Sequence, residues 1–488
     1  MKMLDKRYSV PSRNYFSRTA LPAMYYKTRT TVETELKDVQ HFATTTDLWS
    51  SRTMEPYMSL TVHFITSDFT MKSRCLQTAF FPVDHTGDEI AVGLMESLQS
   101  WSLDPKRMVC ITTDSGSNII KASDINNWTR LQCFGHRLHL AIENSMKDER
   151  ISRAMGVCKK IVSCFSHSWK RKRELAQAQK DLNLPDHKLK TECQTRWGSR
   201  LAMVNRVLEQ QEAITRVLAR NTDRNKFARG NILTWQDIQV LEVIDKTLTP
   251  LAEFTDALSG EQYVSVSSVK PVLHLFESLM AVKEDDPALA RSIKTTILQY
   301  LQEKYSDPKT QALLDIATSL DPRFKLDYVS EDNKTTVKTR LKDEMTSIVT
   351  MESLSLTPTT ASSSATPPPG GKKRKTLGSF FKVGKGNEAA APEVEQVVDM
   401  ELGAYLLSRN IDSEDDPLKW WNNNKGQYPR LSMLARKYLC ITATSSPSER
   451  AFSTGGNIVT CQRSSLKPQN VDMLVFLAKN LSAVDGLC

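Results

Sequence analysis

Three carboxylates far apart in the chain stand where folding could make them act together. Asp47 ends the β-rich run Phe42-Ala-Thr-Thr-Thr-Asp47. Asp114 ends the run Val109-Cys110-Ile111-Thr-Thr, and Glu449 follows Ser446-Pro447-Ser448 at the start of a helical pattern. A carboxylate at the exit of a buried strand is held rigidly yet reaches solvent, at the edge where open α/β sheets place their ligands. Hard oxygen ligands suit Mg²⁺, which keeps several waters, so two or three carboxylates suffice to hold it. A pair of such ions stabilises the attacking and leaving oxygens of phosphoryl transfer. Each residue also has a plainer reading. Asp114, followed by Ser-Gly-Ser-Asn118, can cap the next helix, and Ser446 as N-cap with Glu449 at the third helical position spells a capping box. Spacing alone favours the caps.

Other chemistry-bearing clusters are weaker. Cys133-Phe-Gly-His136, with His139 one turn on, is half a zinc site without further near ligands. A buried strand cysteine beside an orienting histidine accounts for it better. Thr195-Arg196-Trp197-Gly198 sets a cation that can grip phosphate beside an aromatic that can stack on a base. An ordinary buried tryptophan at a helix start is the alternative. His167-Ser-Trp169-Lys170-Arg171-Lys172-Arg173 could track a nucleic-acid backbone, or simply be a solvated helix face. There is no Gly-rich phosphate loop and no Gly-x-Ser-x-Gly elbow.

The elements that must position these residues are legible from periodicity. Residues 1–40 are a polar, helical lead-in, with Leu21-Pro-Ala opening a helix. The first strand carries Asp47. Met58, Leu60, Val62 and Phe64 alternate with polar residues, as in a half-buried strand, and a third strand covers Arg74 to Phe81. Ile90, Leu94, Leu98 and Trp101 form a helical stripe. The strand ending at Asp114, a brief strand Leu131–Cys133 and a helix from His136 to Met146 complete residues 41–146. Antiparallel strands followed by βαβ crossovers describe a mixed sheet, and if the first and fourth strands are neighbours, Asp47 and Asp114 come close. Residues 147–350 read as almost entirely helical. Residues 351–395 are a Ser/Thr/Pro-rich linker that cannot offset the entropy of ordering. It carries Lys372-Lys-Arg-Lys375, which is either a nuclear-import signal or a solubilising patch. Residues 396–488 are compact again, with helices over Pro429–Leu439 and from Ser446, a short strand or extended link over Leu439–Thr444, and an all-round apolar helix near Asn470–Ala478.

Composition sets the class. The chain has 488 residues, 40 % hydrophobic and 25 % charged, with a net charge of +9. This is an ordinary globular make-up with a mild basic excess suited to a polyanion. Nine cysteines occur without a Cys-x-x-Cys pair, as expected of a reducing, intracellular compartment. No apolar run is long enough to span a membrane and no signal peptide is visible.

Five segments in order carry a resemblance: Thr45-Thr-Asp47-Leu-Trp-Ser-Ser51, Thr113-Asp114-Ser-Gly-Ser-Asn118, Cys133-Phe-Gly-His136-Arg-Leu-His-Leu140, Thr195-Arg196-Trp197 and Ser448-Glu449-Arg450-Ala-Phe-Ser453. Together they resemble the hAT superfamily of DNA transposases, nearest in look to the BED zinc-finger proteins domesticated from them. The resemblance implies an α/β fold: an RNase H-like mixed sheet, interrupted by a large all-α insertion and completed by a helical C-terminal dimerisation region over about 400–488. It implies Asp47, Asp114 and Glu449 as a catalytic triad holding Mg²⁺ or Mn²⁺, with Cys133 and His136 shaping the active site. Arg196 and Trp197 would lie near transposon-end DNA. The implied protein is a nuclear homodimer or higher oligomer that partners DNA and no membrane. The family's BED finger would precede residue 1, and no structural zinc is expected in this chain. Such a protein either cleaves and joins DNA or, as a domesticated regulator, keeps the fold as a scaffold for dimerisation and protein contacts. A helical adaptor unrelated to DNA is a third, weaker reading.

Overall fold

The computed structural model describes residues 11–51, 53–193, 196–219, 232–258, 260, 263–355, 394–460 and 466–484. Thr195 and the Lys372–Lys375 cluster lie outside the described residues. After helical turns over Arg13–Ala20, the long helix α1 (Leu21–Lys37) leads into β1 (Phe42–Ser50), β2 (Pro56–Ile65) and β3 (Met71–Phe80). Then follow α2 (Gly87–Ser100), β4 (Met108–Thr113), α3 (Ser117–Ile125), β5 (Arg130–Gln132) and α4 (Phe134–Ser145). The five strands form one sheet in the order β3-β2-β1-β4-β5. β1 is antiparallel to β2, as is β2 to β3, while β4 runs parallel to β1 and β5 parallel to β4. This is the RNase H-like mixed sheet that the resemblance implies.

A helical insertion follows: α5 (Glu149–Ser166), α6 (Trp169–Asp181), α7 (Trp197–Glu209), α8 (Gln211–Ala219), α9 (Trp235–Leu258), α10 (Val269–Leu279), α11 (Ala288–Tyr305), α12 (Pro308–Ser319) and α13 (Glu331–Ser355). The chain closes with α14 (Val394–Leu407), α15 (Pro417–Asn424), α16 (Pro429–Leu439), α17 (Ser446–Ile458) and α18 (Pro468–Val484). Leu439–Thr444 is not a strand. It is an extended link, buried from Cys440 to Ser445.

Alternation along β1 divides the core. Phe42 joins Leu60, Val62, Leu76 and Ile111 in a cluster covered by α1, α2 and α18. Ala43 and Cys110 join Leu131 and the insertion in a larger cluster. The expectation of a half-buried β2 was wrong: every residue from Tyr57 to Ile65 is buried. The polar residues on the second face, which sequence periodicity assigns to solvent, lie under α16 and α17.

A buried polar chain satisfies that face. The Ser448 hydroxyl of α17 donates to the Thr45 hydroxyl at 2.9 Å, Thr45 lies 3.2 Å from His63 Nε2, and His63 Nδ1 lies 3.1 Å from the Ser73 hydroxyl. With Ser448 as the first donor, Thr45 gives its proton to Nε2 and the imidazole proton sits on Nδ1. The sheet and α17 are thus tied by residues 403 positions apart. The aromatic rings repeat the tie: Trp49 of β1 stacks on Phe452 of α17 with centroids 5.5 Å apart. Gly455 lets the helix come this close, because a Cβ there would meet the Trp49 ring at 3.2 Å.

Burial pushes the His63 imidazole down from 6.5 to about 3. Between those values the unfolded chain binds a proton that the folded chain refuses. The stability contributed by neutral His63 is therefore present above pH 6.5 and lost as pH falls toward 3. His41 shifts the same way, so a variant must isolate the effect. His63→Gln should cost about 1–3 kcal/mol at pH 7.5 by breaking a buried hydrogen-bonded chain. Its deficit against wild type in urea denaturation should shrink at pH 4.5. An unchanged deficit at both pH values would remove His63 as the titrating tie.

Candidate active site

Register brings two of the carboxylates together. Thr45 pairs with Thr112 across the parallel β1–β4 ladder. Two residues further along stand Asp47, inside β1, and Asp114, just past the end of β4, both beyond the C-terminal end of the ladder the two strands share. Asp47 Oδ1 accepts the Leu48 N–H at 2.9 Å, and Asp114 Oδ1 accepts the Gly116 N–H at 3.1 Å. Asp114 therefore shapes the turn into α3 without being its N-cap, which is Gly116.

Glu449 arrives from the other end of the chain. The capping-box reading fails: the N-cap of α17 is Ser445, with no side-chain cap bond, so Glu449 is one residue too far along to close the box. The docking of α17 on the Asp47 face of the sheet is what sets its place. Burial first, then the charge of Asp114, then that of Glu449, push the Asp47 carboxyl up to about 7, against the Leu48 N–H, which lowers it. Three carboxylates from three distant segments thus share one electrostatic environment.

The donor chemistry fits a hard divalent cation, since mutual repulsion of this kind is what a cation relieves. The geometry is looser. Among the described residues no group of three His, Cys, Asp or Glu side chains stands close enough to hold a metal ion.

Glu449 lines a cavity of about 510 Å³ together with His136, His139, Arg196, Trp197 and Arg450. Cys133 lies on its wall, fully buried. Its sulfur accepts the Ser445 N–H at 3.3 Å, and burial raises its thiol pKa. It anchors the link before α17 and has the character of an inert thiol. Arg196 is exposed at the N-cap of α7. Trp197 is only 5 % exposed and belongs to the main core, so the structure places it as the buried tryptophan of a helix start. Lys170, Arg171, Lys172 and Arg173 lie on α6 and line no part of this cavity. Lys170 pairs with Glu174 at 3.8 Å, and Arg173 stacks on the exposed Trp169. Thr45, His63, Ser73 and Ser448 escaped sequence reasoning as a group. The one signal was a run of polar residues in strands otherwise buried.

Comparison with known proteins follows the same outline. Residues 401–481 match the hAT family C-terminal dimerisation region, residues 45–161 the ZBED1 RNase-like domain, and residues 131–247 the ZBED1 RNase-like helical domain. The chain is a hAT-derived protein of the BED type. Human zinc finger BED domain-containing protein 4 is 25 % identical over 99 % of this chain and 41 % of its own length. Mouse zinc finger BED domain-containing protein 6 is 25 % identical over 99 % of this chain and 53 % of its own. The maize putative AC transposase is 24 % identical over 97 % and 61 %. This hAT-derived chain therefore spans about two to three fifths of the length of these relatives. The match over 401–481 supports dimer formation. Among the described residues no helix is long and apolar enough to cross a membrane.

Because the Asp47 pKa is raised from 3.8 to about 7, the folded chain holds a proton there that the unfolded chain has released. The stability this gives is full below pH 3.8 and is lost as pH rises through 7. Asp47→Asn should therefore melt higher relative to wild type at pH 8 than at pH 4. Millimolar Mg²⁺ should raise the wild-type melting temperature at pH 8 and leave Asp47→Asn unmoved. Equal Mg²⁺ responses in thermal denaturation would count against a cation at these carboxylates.

Proposed function

We propose that this chain is a nuclear, DNA-associated, dimeric transposase-like protein in which Asp47, Asp114 and Glu449 serve the cleavage and transfer of DNA strands. The observation that carries the reading is the electrostatic coupling of Asp47 to Asp114 and Glu449 at the C-terminal edge of two parallel strands. Carboxylates whose pKa is raised by burial and by one another are candidates for a functional site.

A bound Mg²⁺ or Mn²⁺ would supply Lewis-acid stabilisation of the attacking and leaving oxygens. Asp47 and Asp114 would hold it from the sheet, and Glu449 from α17. The Arg196 guanidinium, exposed on the cavity wall, would grip a phosphate. His136 lies on the same wall and could exchange a proton with a strand end.

One observation favours the second reading, a domesticated DNA-associated regulator that uses the fold for dimerisation. The carboxylates do not close to joint ligand spacing among the described residues, which suits a core kept for its shape.

The two readings part on activity. Purified full-length chain with Mn²⁺ and end-labelled duplex DNA should nick or join strands. Asp114→Asn and Glu449→Gln should each lower the rate by roughly 100-fold or more. Absence of nicking and joining on terminal-repeat and random duplexes alike would leave the scaffold reading standing.

A further inference from the structure

The cavity under Glu449 does not end at α17. Arg450, the next residue, lines it and also lines a second depression of about 930 Å³, so the two meet at one side chain. The second depression is walled by the β2–β3 turn and the start of β3, by the start of α15 and by α18.

Its charge is lopsided. Lys72, Arg74, Lys419, Arg450 and Lys479 face it, against Asp68 and Asp416. Both carboxylates are engaged locally: Asp416 accepts the Leu418 N–H at 2.9 Å as the cap of α15, and Asp68 accepts the Thr66 and Thr70 hydroxyls. Lys72 and Arg74 are tied to Glu35 at 2.9 and 2.8 Å. Lys419, exposed, and Lys479, half-buried, have no ion pair or hydrogen bond among the described residues. With no carboxylate paired to either, both ammonium groups can meet an anion that enters the depression. Of the apolar residues of the wall, Phe69, Met71 and Leu418 are buried in the protein, while Tyr263 is exposed, so a ligand would meet a polar, cationic surface with an aromatic ring beside it.

We infer that this groove takes the phosphate backbone of a nucleic-acid strand continuing out of the Glu449 cavity, with Lys419 and Lys479 as its phosphate contacts. The inference rests on the DNA-associated reading above and adds the path that a strand follows. Continuity with the Glu449 cavity and an exposed tyrosine ring on which a base can stack favour nucleic acid over an acidic protein segment.

The test is fluorescence anisotropy of labelled single-stranded and duplex 20-mers, titrated with full-length wild type, Lys419→Gln/Lys479→Gln, Lys419→Arg/Lys479→Arg and Arg196→Ala from 50 to 300 mM NaCl. The Gln pair should weaken binding about ten-fold at low salt and flatten the slope of log K against log salt by about 1.5–2, the loss of two phosphate contacts. The Arg pair should retain both affinity and slope, which separates lost charge from lost folding. If wild type binds, Arg196→Ala weakens binding and the Gln pair matches wild type, the groove assignment fails while the proposed function stands. If wild type binds neither oligonucleotide at 50 mM salt, both fail. Binding of polyglutamate through the same two lysines, without oligonucleotide binding, would overturn the nucleic-acid assignment in favour of an acidic protein segment.

Discussion

The extended link between α16 and α17 is the constraint on which the structure depends. It is irregular backbone inside a protein core, where an unpaired N–H or C=O is costly. Its groups find partners in segments remote from it. The Thr112 hydroxyl donates to the Thr442 carbonyl at 2.8 Å, the Phe134 N–H to the Ala443 carbonyl at 2.9 Å, the Ala443 N–H to the Ser265 hydroxyl oxygen at 3.0 Å, and the Ser445 N–H to the Cys133 sulfur at 3.3 Å. Strand β4, helix α4, the insertion and the C-terminal region all meet at this one stretch. α17 and its glutamate are delivered to the sheet as a consequence of these bonds.

Two titratable groups on the same sheet face, His63 buried and Asp47 half-buried, pull in opposite directions over one pH range. Neutral His63 favours the folded chain as pH rises toward 6.5, whereas ionising Asp47 disfavours it as pH rises through 7. His63 is satisfied on both ring nitrogens and belongs to the scaffold. Asp47 has the Leu48 N–H to set against burial and the charges of Asp114 and Glu449, and its carboxyl is still raised.

Much of this was legible in the chain. Antiparallel strands ahead of βαβ crossovers described the mixed sheet, and the approach of Asp47 to Asp114 hung on the first and fourth strands being neighbours, which they are. What could not be read was the second face of the sheet. Ser59, Thr61 and His63 look like solvent-facing residues of an alternating strand. They are buried because α16 and α17, some 370 to 400 positions later, cover them. Periodicity reports local amphipathicity and is blind to a partner supplied from so far along the chain. The same distance hid the true cap of α17: a capping box one residue out of phase reads identically until the helix start is known. Trp197 shows the converse, since its aromatic type suited base stacking while its neighbours on α7 buried it.

The C-terminal helix α18 lies along the outer strand of the sheet. Asn480 donates to the Cys75 carbonyl at 2.8 Å and the Asp472 carboxylate accepts the Thr78 N–H at 2.6 Å, so side chains occupy backbone positions that another strand would need. β3 is thereby closed to β-augmentation. The continuous intermolecular sheet available to many mixed α/β proteins is ruled out along this border, so self-association there must engage α18 and not the strand beneath it.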